Sequence, residues 1–127
     1  MLLDIKNLKT YFYSKRGVLK AVDDVSIAIN RGEFITIVGE SGCGKSTLAY
    51  SILRLIDYPG KIVGGNIFFD GVDLLKISKE RMREMRGKEI GMVFQDPMTS
   101  LDPLEKIGDQ IVETILEHEN IDKKEAW

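Results

Sequence analysis

The chain has 127 residues, 43% of them apolar and 30% charged, with a formal net charge of −2. This supports a small globular core or part of a larger one, and it excludes a disordered chain, a collagen-like or proline-rich polymer and, with one cysteine, a disulfide scaffold. The near-neutral balance argues against DNA binding by bulk charge, no apolar run reaches the roughly 18 residues of a membrane span, and Asp4 and Lys6 fall where a signal peptide is apolar, so a cytoplasmic protein with Cys43 reduced is expected.

In chain order, residues 2–8 read as a strand that the aromatic run Tyr11-Phe12-Tyr13 continues, and 14–17 (SKRG) as a turn. A second extended stretch covers 18–29, and Asn30-Arg31-Gly32 turns the chain again. FITIV at 34–38 has the wholly apolar pattern of a strand buried on both faces. GESGCG at 39–44 is a glycine loop, and KSTLAYSILRLI at 45–56 reads as a helix with Leu48, Ile52 and Leu55 on one face, ended by Pro59-Gly60.

A further strand is expected over 61–70, running into an Asp70-Gly71 hairpin turn. Ser78 can cap a charged helix over 79–86 that Gly87 stops, and EIGMVFQ at 89–95 reads as a strand. With two Asp-Pro steps, 96–103 (DPMTSLDP) is irregular. An amphipathic helix follows over 104–119, and Asp122 with Glu125 opens another. A β layer leading into a strand–loop–helix core makes the fold class α/β.

Residues 39–47, GESGCGKST, match G-x-x-x-x-G-K-[ST], the Walker A loop, between an apolar strand and an apolar-faced helix. Gly39, Gly42 and Gly44 allow backbone conformations and close approaches that a Cβ would block. The N–H groups of Glu40, Ser41 and Cys43 can then join those glycines in an anion nest, to which the helix start adds its positive end. Lys45 supplies a full charge to β- and γ-phosphates, the Ser46 hydroxyl can ligate Mg²⁺, and Thr47 can donate to the α-phosphate. A GTPase would also carry N-K-x-D, which this sequence lacks, and a nucleoside kinase usually starts at its P-loop strand, which 33 residues precede here.

With NLKTYFY, AVDDVSIAINRGEF, GESGCGKST and VFQDPMTSLDP in order, the chain resembles the first half of the ATP-binding subunit of an ABC transporter. The last phrase and the GESG opening are similar to the dipeptide/oligopeptide importer branch, with Asp102 standing where that branch has Asn. The resemblance implies an ABC-type P-loop NTPase core with an N-terminal antiparallel β layer, an incomplete sheet and the start of a helical subdomain. It assigns 1–33 and 61–75 to the β layer, 34–60 and 88–95 to the P-loop core, and 96–127 to the Q-loop and the helical start. It implies ATP and Mg²⁺ as ligands and an aromatic stacked on adenine: Phe12 by register, with Tyr11 and Tyr13 as alternatives. It gives Gln95 a contact to Mg²⁺ and to the attacking water, making Lys45 and Gln95 the catalytic pair of this half. It further implies permease subunits docking on 96–127, a second ATP-binding subunit, no nucleic acid, and a place on the cytoplasmic face of the membrane. Two alternatives from other classes are a soluble ABC-type ATPase acting on nucleic acid or ribosomes, and a nucleotide-binding module without catalysis.

Asp70 ends an apolar strand as a Walker B aspartate does, but Gly71 follows where the family has its catalytic Glu, so the pair reads as a turn. His118 falls on a polar helix position and is expected to be solvated. Six basic residues against two acidic over 76–88 read as a solvated helix face. The sequence holds no LSGGQ-like segment, no Walker B Asp-Glu and no switch His, so these 127 residues are expected to bind ATP without turning it over. They are also expected to expose apolar strand edges and to be marginal, or to associate, when alone.

Overall fold

The structure, a computed structural model, describes residues 1–96 and 98–127 and divides into two units, Met1–Ser78 and Lys79–Trp127. The first is built on β1 (Leu3–Ser14), β2 (Gly17–Ile29), β3 (Gly60–Phe69) and β4 (Val72–Asp73), an antiparallel sheet in the order β2-β1-β3-β4. Helix α1 (Lys45–Ile52) packs on β1 and β2. Ile5, Leu8, Val22, Leu48, Leu53, Ile67 and Leu74 are buried and form the core of this unit.

A line of extra residues crosses the three long strands. Between Ile5 and Leu8, β1 carries one residue more than β2, between Leu8 and Thr10, β2 carries one more than β1, and between Thr10 and Tyr11, β2 carries a further one, Ala21. Against β3, β1 has the surplus between Lys6 and Lys9, and β3 between Lys9 and Thr10. Asn7, Asp24 and Gly65, one on each strand, have left-handed φ of 48°, 61° and 90°. The Asn7 amide donates to Asp24 Oδ1 at 3.0 Å, and a Cβ on Gly65 would lie 2.6 Å from the Asn7 carbonyl oxygen. Such bulges bend a strand and shift its side-chain alternation by one. Ile5, Leu8 and Thr10 are therefore all buried, and Phe12, two residues on, shares the Thr10 face.

Thr10 and Ser51 tie that face to α1. Both are fully buried, with hydroxyl oxygens 2.8 Å apart. Ser51 Oγ donates to the Thr47 carbonyl at 2.7 Å, so its proton is committed and Thr10 is the donor to Ser51. Ser51→Ala leaves a buried hydroxyl proton without an acceptor and is expected to cost about 2 kcal/mol, less once Thr10→Val removes the orphan. Urea denaturation of the single and double variants measures this.

Helix α1 is shorter than the 45–56 expected from its apolar spacing. Leu55 N–H bonds the Tyr50 carbonyl and Arg54 N–H the Ser51 carbonyl, the two bonds of a Schellman stop. Its left-handed residue is Arg54 (φ 53°), where a glycine is usual, and the Arg54 guanidinium donates to the Leu74 and Ile77 carbonyls at 3.2 and 2.8 Å. The sequence lacks the glycine signal because tertiary bonds support the turn instead.

Two expected strands do not form. Residues 34–38 take no ladder partner, and 89–95 keep a single bridge, Arg86 to Ile90. A strand needs a neighbour for its N–H and C=O groups, and the described residues place none beside either segment. Their apolar side chains face solvent: Phe34 is 92%, Val38 87% and Val93 97% exposed.

The second unit contains α2 (Lys79–Met85), α3 (Ile107–His118) and α4 (Lys123–Ala126), with Met82, Met85 and Val112 buried. Helix α3 starts later than the expected residue 104, with Leu104 in a turn. Asp122 caps α4, accepting from Glu125 N–H at 2.8 Å. In the irregular 96–103 segment Pro97 lies outside the described residues, and 98–101 and 103 form turns and bends. The basic run of α2 meets carboxylates: Arg81 pairs with Glu84 and Glu89, Arg83 with Glu117, and Lys88 with Glu119. His118 is half-buried rather than solvated, its ring against the bare face of Gly87. Among the described residues no helix is long and apolar enough to cross a membrane.

Candidate functional site

The glycine loop of residues 39–44 leads directly into α1. Gly44 is the N-cap residue, with a left-handed φ of 93°, and as a glycine it carries no Cβ. That absence is required, because a Cβ there would lie 2.1 Å from the Ala21 carbonyl oxygen of β2. Gly42 is also left-handed (φ 80°), but nothing lies within 4 Å of its Cβ position. At Gly39 a Cβ would meet Cys43 Sγ at 2.6 Å. The loop thus needs glycine for close approach at 44 and for backbone conformation at 42 and 44, whereas at 39 the exposed Cys43 side chain would have to turn aside.

Lys45 bends back over the loop. Its ammonium donates to the Gly39 and Glu40 carbonyls at 2.7 and 2.6 Å and lies 3.4 Å from Cys43 Sγ. Two of its three protons brace the loop, and the third is directed at the sulfur of the exposed Cys43. The first intrahelical bond joins Leu48 N–H to the Gly44 carbonyl, which leaves the N–H groups of Lys45, Ser46 and Thr47 outside the helical ladder. No acidic side chain stands in the first turn to offset the positive helix end. Glu40, Ser41 and Ser46 are exposed, and Thr47 is half-buried.

These residues suit the polyphosphate of a nucleotide: free amides, a positive helix end and one ammonium converge on the loop. They also suit Mg²⁺. Among the described residues no group of three or more His, Cys, Asp or Glu could hold a metal ion, and the loop offers the exposed Ser46 hydroxyl as one oxygen donor. Mg²⁺ is commonly held by one or two protein oxygens together with substrate phosphates and waters.

The aromatic candidates divide between two faces of β1. Phe12 is half-buried on the α1 side, where a Gly60 Cβ would lie 2.7 Å from both Phe12 Cε1 and Ile56 Cγ2. Tyr13 is exposed. Tyr11 points the other way and donates to Asp23 Oδ1 at 2.6 Å, with Lys20 5.4 Å from its ring centroid. That bond, with some desolvation and the charge of Asp23, pushes the Tyr11 hydroxyl up to about 12. The same bond, helped by Lys20, holds the Asp23 carboxyl below its ordinary value.

The two shifts set opposite pH limits. The Asp23 contribution to stability is present at neutral pH and is lost as pH falls through its lowered folded value. The Tyr11 contribution is lost as pH rises from near 10 through about 12. In an alkaline titration followed at 295 nm, Tyr11 should ionise near 12, and Tyr11→Phe should remove that step.

Gln95 belongs to the second unit, where it is exposed in a bend. Phe12 and residues 39–47 both belong to the first unit. Sequence reasoning missed three supports of that site. Ala21 gives no signal, because its backbone makes the contact. Thr10 and Ser51 are legible only as polar residues at core-facing positions.

The sequence profile of the ABC transporter family matches residues 22–127. Over 127 residues the chain is 47% identical to the probable peptide ABC transporter ATP-binding protein y4tR of Sinorhizobium fredii, covering 99% of this chain and 38% of the relative. It is 46% identical over 126 residues to the oligopeptide transport ATP-binding protein OppD of Bacillus subtilis, covering 98% and 35%. The chain therefore spans little more than a third of these curated relatives. A solved dimeric post-hydrolysis structure of the ATP-binding cassette MJ0796, bound to ADP and Pi, superposes with a TM-score of 0.83 at 24% identity, over 98% of this chain and 54% of that one. That likeness shows the fold: a P-loop NTPase core with an N-terminal antiparallel sheet and a helical subdomain, the sheet not closed into a barrel.

Proposed function

Because the chain belongs to the ABC transporter family, as part of an ATP-binding subunit, we propose that its glycine loop binds Mg-ATP and that the whole protein hydrolyses it to drive a peptide importer. The observation that carries this is the Lys45 ammonium braced over residues 39–44, at a helix start whose first three N–H groups lie outside the helical ladder. Lys45 meets the β- and γ-phosphates, Ser46 takes Mg²⁺, and Phe12 stacks on the adenine. Mg²⁺ held with the help of Ser46 would supply positive charge to offset the negative charge of the phosphates. Gln95 takes the part that the family resemblance implies, touching the metal and orienting water. The peptide assignment rests on relatives whose names describe peptide, oligopeptide and dipeptide transport. Residues 96–127 meet the permease, a second ATP-binding subunit completes the hydrolytic site, and the assembly sits at the cytoplasmic face of the membrane.

Cys43 offers a direct test, since its exposed thiol lies inside the loop. A maleimide should alkylate it and abolish ATP binding, and bound Mg-ATP should slow the alkylation. Modification that leaves ATP affinity intact, or proceeds at one rate with and without ATP, would remove the nucleotide from this loop.

A further inference from the structure

We propose that the Thr10–Ser51 hydroxyl pair is a positioning device for nucleotide recognition, holding the aromatic run of β1 at a set spacing from the phosphate loop. The proposal rests on the reading above that an aromatic of β1 stacks on the base. The pair sits between two binding elements. Thr10 lies two residues before Phe12 on the same strand face, so the two Cα atoms are about 7 Å apart along β1. Ser51 lies one helical turn after Thr47, the last residue of the loop motif, and donates to the Thr47 carbonyl at 2.7 Å. The chain of contacts therefore runs from the aromatic run through Thr10 and Ser51 to the loop itself, with both hydroxyls fully buried.

A strand–helix contact is ordinarily filled by apolar side chains, which tolerate a slide of the helix by a fraction of an ångström. A buried hydrogen bond does not, because it is directional and its loss leaves a polar atom unpaired. The other end of α1 is fixed sterically, by Gly44 against the Ala21 carbonyl of β2. With one end set by contact and the other by a bond, α1 keeps one position against the strand that bears the aromatics. A ligand held at both its base and its phosphates senses that position, whereas a ligand held only by phosphates does not. Thr10 and Ser51 are thus positioning residues.

The test compares Mg-ATP with Mg-tripolyphosphate, by equilibrium dialysis on the 127-residue chain and on Thr10→Val, Thr10→Ser and the double variant Thr10→Val/Ser51→Ala. Base stacking should give ATP about a tenfold advantage over tripolyphosphate in the parent chain. Thr10→Val should cut that advantage several-fold with tripolyphosphate affinity nearly unchanged, and Thr10→Ser should restore it. If Thr10→Val fails to fold, the double variant, which leaves no orphaned hydroxyl, takes its place with the same expectation. Equal weakening of both ligands, or an unchanged ratio in a folded variant, overturns the proposal. Phe12→Ala, Tyr11→Ala and Tyr13→Ala separate the two readings. If one of these lowers the ratio and the hydroxyl variants do not, the positioning role alone fails. If none lowers it, the base platform fails and the positioning role with it.

Discussion

Gly44→Ala is expected to lower stability by about 3–4 kcal/mol and to abolish ATP binding, whereas Gly42→Ala is expected to cost only about 1 kcal/mol. Both residues have left-handed φ, so both variants carry the backbone strain of an L-residue in that region. Only at Gly44 does the new methyl also strike backbone, at 2.1 Å from the Ala21 carbonyl oxygen. The Ala21 carbonyl is main chain between two paired residues, Lys20 and Val22, and cannot step aside as a side-chain tip can, so α1 itself must move off β2. That movement pulls the N–H groups of Lys45, Ser46 and Thr47 away from their common focus. Thermal melts followed by circular dichroism, with ATP titrations of whatever remains folded, distinguish the two variants. Near-equal melting temperatures would mean that the helix start is not seated on Ala21.

Lys45→Ala should weaken ATP by on the order of a hundredfold, through loss of a charge-assisted contact to the phosphates. The loop should slacken as well, since the same ammonium bridges the Gly39 and Glu40 carbonyls. Lys45→Arg does not restore function: a planar guanidinium cannot brace two carbonyls and still present a compact charge to the anion. Isothermal titration with Mg-ATP measures the loss. Steady phosphate release is expected from neither parent nor variant, and release by the parent that Lys45→Ala abolishes would show that these 127 residues carry enough machinery to turn ATP over.

The parts of this molecule that declare themselves in sequence are those whose chemistry is local. The loop at 39–47 is legible because glycine, lysine and serine at fixed spacing have few other uses. The β1–β2 and β3–β4 hairpins are legible because turn residues and alternation agree. FITIV at 34–38 misleads because its pattern reports a propensity for burial between neighbours, and a ladder needs those neighbours to be present. The stop of α1 at Arg54 was hidden because its support comes from carbonyls twenty or more residues away. The pairing of Thr10 with Ser51, 41 positions apart, is a fact of tertiary structure, and neither residue alone signals it.

The matched surplus residues in β1, β2 and β3 constrain how this sheet can change length. Removing Asn7 alone would straighten one strand against two neighbours that still bend, and would slip the pairing of everything beyond it by one position. Indels along this line are tolerable only in concert, so related sequences should gain or lose residues at the levels of Asn7, Asp24 and Gly65 together or not at all.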